Sequence, residues 1–318
     1  MSANVPVRER SEPRAGGVLG AALGAALLFL SLPVPVVGLF GAMVSPLPLI
    51  VQRLRNGMGP ALLATAMAAG AIGAVFTAGL GIGFLLFLAA PGLLIGHAMA
   101  RGRGLVRGCG WAFALLAIEI AAVLLFAGPE MSGLVLDSAA QLGSPQFLQE
   151  MRSSGLPPEK VDEWVEQFAT FRKVMAVVYP AFFVILGALV VLANAVLLRT
   201  YLARRDPGWL DGGEFETIRW PLSLAVLFVL GGASVAFPPV RPAGYNVLLV
   251  VAFFFALQGL AVVAYYAHRL AGPPLLRGGL MLLVLLNPWA PQILGLLGLF
   301  DTWVDFRKYA DPPESEED

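Results

Sequence analysis

Long apolar stretches alternate with short polar ones along the chain, and the apolar stretches fall at about 16–32, 36–51, 60–77, 80–99, 110–127, 174–198, 220–237 and 246–267. Most hold about 18 to 25 residues, the length at which a helix rising about 1.5 Å per residue crosses a hydrocarbon layer of roughly 30 Å. A ninth stretch, about 278–300, is interrupted by Asn287-Pro288-Trp289-Ala290-Pro291. The pattern predicts an all-α fold: a polytopic transmembrane helical bundle of about eight spans plus a proline-broken ninth apolar segment. The second stretch is the least regular, with Pro33, Pro35, Pro46 and Pro48 around or within it, each lacking a backbone donor. Broken backbone at membrane depth is tolerated only under cover of protein or a water-filled cavity, so both proline-broken stretches are expected inside the bundle.

The sizeable polar insertion is 128–173. Its second half, SGLPPEKVDEWVEQFATFRK, places Pro158 where a first helical turn accepts proline, and Val161, Trp164, Val165, Phe168 and Phe171 recur three and four apart. This predicts an amphipathic helix that lies on the outer membrane face or caps the bundle. The domain layout is then a tail (1–15), a five-span bundle (16–127), the insertion (128–173), a second membrane bundle (174–300), and an interfacial helix with an acidic tail (301–318).

Composition agrees: 58% of the residues are hydrophobic, 13% are charged and mean hydropathy is +0.78, well outside the range of soluble domains. A net charge of zero hides a sorting by position. With the N-terminus cytoplasmic, Arg8, Arg10, Arg14, Arg53, Arg55, Arg101, Arg103, Arg107, Arg199, Arg204, Arg205, Arg219, Arg269 and Arg277 fall inside, and Arg152, Lys160, Arg172, Lys173 and Arg241 outside. Fourteen against five obeys the positive-inside rule and places the protein, multi-pass, in a bacterial cytoplasmic membrane. Arg307 and Lys308 conflict with that scheme, because a ninth full crossing puts them outside. Either the ninth stretch is re-entrant at Asn287–Pro291 or an earlier stretch does not cross. The basic N-terminus imitates a secretory signal, but no polar stretch with a small-x-small site follows, so the segment reads as a retained first helix.

Sequence chemistry for an enzyme is missing: no HExxH, no GxxxxGK loop, no CxxC, and Cys109 is the single cysteine. No catalytic residue, metal or cofactor is expected, nor nucleic acid as a partner. His97 and His268 end apolar stretches beside Arg101 and Arg269 and read as interfacial anchors, and GLGIG at 79–83 reads as a tight turn between spans. Polar groups inside the spans say more. Glu119 sits mid-span, where an ionised carboxylate costs on the order of 3 kcal/mol, and it is expected to face the interior as a solute- or proton-binding group or as a protonated hydrogen-bonding one. Asn194 and Gln258 are candidates for interhelical hydrogen bonds or a ligand. Asn287 and Trp289, at the break in the ninth stretch, complete the candidate ligand-binding set. At the C-terminus, Thr302 and Asp305 have capping-box spacing, predicting a short helix with Trp303, Phe306 and Tyr309 near one face and an Asp305–Lys308 ion pair.

Two resemblances follow from these motifs. LGLLGLFDTWVDFRK, with the broken run before it, the insertion leading into YPAFFVILGALVVLANAVLLR, and the RRD...RWPL junction, resembles the YybS-like family of uncharacterised bacterial membrane proteins. Its closing pattern is Gly298, Asp301, Trp303, Asp305, Phe306 and Arg307. More distantly, residues 18 to about 107 are similar to the S components of energy-coupling-factor vitamin transporters, through the small-residue strip of the first helix and the runs GMGPALLATAMAAGAIG and AAPGLLIGHAMARGR. That likeness implies that Ala21 and Ala25 dock on a membrane coupling subunit, although S components have about six spans. Membrane lipids, and a coupling subunit or another membrane protein, are the expected partners. Two functions are open: a solute-binding or transport protein, or a membrane scaffold or regulator acting through 128–173 and the 199–219 loop.

Overall fold

The computed structural model describes residues 15–34, 36–210, 215–269, 279 and 286–309, and all regular structure among them is helical. Six helical segments are long and apolar enough to cross a membrane: Val37–Asn56, Met58–Val75, Ala78–Ala100, Gly104–Gly128, Pro158–Arg205 and Arg241–Arg269. Gly16–Leu30 and Leu222–Ser234 are apolar but shorter. Each of the eight expected stretches therefore contains a helix. The chain divides into two compact units, one of 1–122 with 186–213 and one of 123–185 with 214–318.

In the first unit, α1 (Ala15–Leu30) packs against α4 (Met58–Val75) through small residues. Ala21, Ala22, Ala25 and Ala26 lie buried with Ala61, Ala64, Ala68 and Ile72. Small side chains let helix backbones approach, which is how a bundle gains dispersion contacts where lipid offers little hydrophobic drive. The Ala21–Ala25 strip is thus covered inside the chain, and the exposed face of α1 carries Leu19, Leu23 and Leu27 instead. The second apolar stretch is two helices, α2 (Val37–Val44) and α3 (Leu47–Asn56), parted at Ser45-Pro46. Proline at 46 and 48 cannot donate to the carbonyls four residues earlier, so the ladder ends there. Next, α5 (Ala78–Phe84) and α6 (Ala90–Ala100) form one rod through a π-helical turn at Leu85–Ala89, just before Pro91. The GLGIG segment lies within α5 and is not a tight turn; Thr77 opens that helix by accepting a hydrogen bond from the Leu80 N–H at 3.2 Å.

Two long helices belong partly to each unit. α7 (Gly104–Ala140) has a non-helical residue at Ala127, two positions before Pro129, where the sequence ends the fifth span. After α8 (Pro145–Ser153), α9 runs unbroken from Pro158 to Arg205. The expected surface-lying amphipathic helix and the sixth span are therefore one helix, because no residue between 158 and 174 breaks the backbone ladder. Forty-eight residues extend about 72 Å, more than twice a hydrocarbon layer, so much of α9 must stand outside it. Part of its apolar stripe is used by protein: Val161 is fully buried, and Trp164 meets Phe147 of α8 and stacks on Phe168 at centroid distances of 6.0 and 6.5 Å, whereas Val165 and Phe171 are exposed.

In the second unit, α10 (Leu222–Ser234) and α11 (Arg241–Arg269) form an antiparallel hairpin, with Gly231 against Val247 and Gly244 against Ser234. The last helix, α12 (Ala290–Val304), runs parallel to α11: Gly295 lies beside Ala252, Gly298 beside Phe255 and Asp301 beside Gln258, each three residues further along both helices. Arg269 and Trp289 thus stand at opposite ends of the pair, and Arg307 and Lys308 fall at the end that also holds Arg219 and Tyr265. Within the ninth stretch, Asn287–Trp289 forms the turn that opens α12. Residues 278 and 280–285, the part of that stretch before the turn, lie outside the described residues, and so does the choice between a re-entrant and a crossing segment.

Candidate functional site

In α9, Asn194 is buried and donates from Nδ2 to the Met43 carbonyl at 2.8 Å and to Val190 O at 2.8 Å. Met43 O is a carbonyl that the Pro46 break strips of a regular helical partner, so Asn194 repairs the broken second segment. Its Oδ1 is enclosed with no donor among the described residues. The second unit repeats the device. Pro180 lies inside the continuous α9, and beside it the Asn246 amide takes the place of one backbone bond, donating to Val177 O and accepting from Ala181 N, both at 2.8 Å. Sequence reasoning passed over Asn246, although a proline inside a membrane-length helix is the signal that such a partner must exist.

Gln258 is buried and fully engaged. Its Oε1 accepts from Trp220 N at 2.9 Å and its Nε2 donates to Asp301 Oδ2 at 2.9 Å. Asp301, 3% exposed, also accepts from Phe306 N at 3.1 Å and from Arg307 Nη2 at 3.1 Å. Arg307 Nη2 donates to Ile218 O as well, at 3.0 Å. Asp305 receives both ends of the Arg219 guanidinium, at 2.6 and 2.9 Å, and Lys308 at 3.4 Å. The expected Asp305–Lys308 pair is present, as the lesser of two. Burial by itself raises the Asp305 carboxyl, but the hydrogen bonds and charges of Arg219 and Lys308 together outweigh it and hold the group below the usual carboxylate range. Burial pushes the Arg307 guanidinium down, with Asp301 opposing.

The C-terminal motif is therefore a packed polar network and not a surface anchor. α12 ends at Val304, Asp305 caps it in a left-handed conformation at φ 50°, and a 3-10 turn follows at Phe306–Tyr309. Thr302 caps no new helix; its hydroxyl donates to Gly298 O at 3.3 Å. Capping-box spacing misled because Asp305 closes the C-terminal end of α12, in the left-handed conformation that Asp tolerates, and its carboxylate turns to Arg219. Trp303 alone of the motif points outward, 57% exposed. Arg219, which sequence reading counted only as a loop charge, is central to the network.

Asn287 and Trp289 are not a ligand pair: both are exposed, and Asn287 Oδ1 accepts from Trp289 N at 2.9 Å in the turn that opens α12. Glu119 is different. It lies half-buried on α7, and its Oε2 is enclosed with no hydrogen-bond donor among the described residues. Arg53 Nη2 donates to His97 Nδ1 at 3.4 Å, and His268 pairs with Glu216.

Membrane-length apolar helices, prolines repaired by side-chain amides and a buried ion pair at one helix end define a polytopic helical membrane protein. The chain belongs to the family described as predicted membrane protein, DUF2232, whose model matches residues 22–302. It is similar to the uncharacterized protein YybS of Bacillus subtilis (strain 168), 22% identical over 306 residues, which are 92% of this chain and 96% of that protein. No solved structure matches, so the S-component likeness has no structural counterpart to rest on.

Proposed function

We propose that this protein handles a small solute or a proton within a bacterial cytoplasmic membrane, with Glu119 as the polar group that does so. The observation that carries this reading is the enclosed, unpartnered Oε2 of Glu119 on a membrane-length helix. An acid held there is costly and normally answers a partner; Asn246 and Gln258 engage both amide atoms within the chain and Asn194 its Nδ2, whereas the enclosed Glu119 oxygen, on a group that can carry charge, has no partner among the described residues. The two best-formed cavities do not reach Glu119, so a ligand there enters as helices part, in the manner of alternating access. Glu119→Gln, nearly isosteric, is expected to leave the protein folded and to abolish the rise in melting temperature that a cognate solute gives the wild type. A broad solute screen that never shifts the wild-type melting temperature sinks the reading.

The orientation belongs to the same reading. Arg307 and Lys308 share the end of their unit with Arg219, so placing that end in the cytoplasm removes the charge conflict of a nine-crossing chain. A fluorescent-protein fusion after Tyr309 is expected to glow, as only a cytoplasmic fusion folds, and an alkaline phosphatase fusion at the same point is expected to be inactive. The reverse pair of signals refutes the assignment.

A further inference from the structure

Beside the C-terminal network lies a groove of about 380 Å3, bordered by Glu216, Arg219, Tyr265, Asp305, Arg307 and Lys308. Three cations meet two carboxylates there, and those carboxylates are already answered: Asp305 by Arg219 and Lys308, Glu216 by His268. Arg307 is not fully answered. Its side chain is 6% exposed, and only Nη2 has acceptors, while Nε and Nη1 are enclosed and meet none among the described residues. Buried N–H groups left without an acceptor cost about 1–3 kcal/mol, more on a charged group, and the guanidinium has no second protonation state near neutral pH that could relieve it.

We propose that this groove binds a phosphate group, with Arg307, Arg219 and Lys308 as its cationic contacts. A phosphate offers several acceptor oxygens to donors that approach from different sides, which a halide does not, and a groove of this volume has room for one with its substituents. Burial pushing the Arg307 guanidinium down, despite Asp301, fits a charge for which the chain supplies too little compensation. The position suits a lipid headgroup: Tyr266 and Trp303 are exposed nearby, and aromatic side chains of this kind sit at the depth of lipid phosphates. Basic pockets between membrane helices are a recurrent way of holding anionic headgroups. The inference is independent of Glu119, which lies in the other unit.

The test uses the full chain purified in a non-ionic detergent. Its melting temperature is followed against inorganic phosphate, against phosphatidylglycerol and against diacylglycerol, at ionic strength fixed with chloride. Phosphatidylglycerol is expected to raise it by several degrees over diacylglycerol, and Lys308→Gln to weaken the apparent affinity about 3- to 10-fold. Lys308 is 80% exposed, so that substitution leaves the fold intact. A shift with inorganic phosphate as well assigns the groove to soluble phosphates; a shift with the lipid alone assigns it to a headgroup. Either supports the site. No shift beyond chloride and diacylglycerol, or an undiminished shift in Lys308→Gln, overturns it and leaves water as the groove's occupant.

Discussion

Asp301→Ala is expected to lower the melting temperature of the purified protein by roughly 10 °C, the largest loss of any single polar truncation in the chain. Removing that carboxylate strands three groups at once: the Arg307 guanidinium, Gln258 Nε2 and the Phe306 N–H, all of which point at it within about 3 Å. An unpaired buried charge costs about 3–5 kcal/mol, several times the loss of an exposed ion pair. Asp301→Asn keeps the shape and one acceptor oxygen and is expected to lose less. The double variant Asp301→Leu/Arg307→Met, which removes both charges, is expected to recover part of the loss. Fluorescence-detected gel filtration after a heating series measures all three. If Asp301→Ala melts within about 2 °C of the wild type, the network is not what holds α11 and α12 together.

Gly298→Ala is the second large effect. A methyl group there would overlap the Phe255 carbonyl oxygen and lie 2.7 Å from the Gly259 nitrogen, and both obstacles are backbone, which cannot rotate away. The α11–α12 pair has to separate along its length, which also pulls Asp301 from Gln258. Loss of monodisperse protein is expected, beyond the roughly 1–3 kcal/mol typical of overpacking. Gly295, one turn earlier on the same helix, provides the control: its nearest neighbour is Ala252 O at 3.6 Å, ordinary van der Waals contact, so Gly295→Ala is expected to express and elute like the wild type. Equal behaviour of the two variants would mean that the helices do not approach as closely as the structure places them.

The two glycines show where sequence reading stops. Both sit in the same apolar run, and nothing local separates them; only the crossing point of α11 decides which one touches backbone. Asn194 and Gln258 behaved as a buried amide in a membrane must, by finding partners, yet the identity of those partners, Met43 O and Trp220 N, required the helices to be placed. Asp301 and Asp305 are legible as a motif, but the spacing of Thr302 and Asp305 imitates a helix start. Their meaning depended on Arg219, which is 82 and 86 positions away in the chain.

The sequence by itself determined that this is a helical membrane protein, roughly where each membrane stretch lies, that prolines break the second and ninth, and that Glu119 is out of place in its span. Length, hydropathy and missing backbone donors are local properties, and the bilayer converts them directly into helices because no other element satisfies its backbone in hydrocarbon. Only the tertiary structure decided that the small-residue strip of α1 is spent on α4, that α12 runs parallel to α11, and that the C-terminal charges close a buried network. Those outcomes depend on which faces meet, and in a chain so rich in alanine, glycine and leucine many faces are alike until packing distances choose between them.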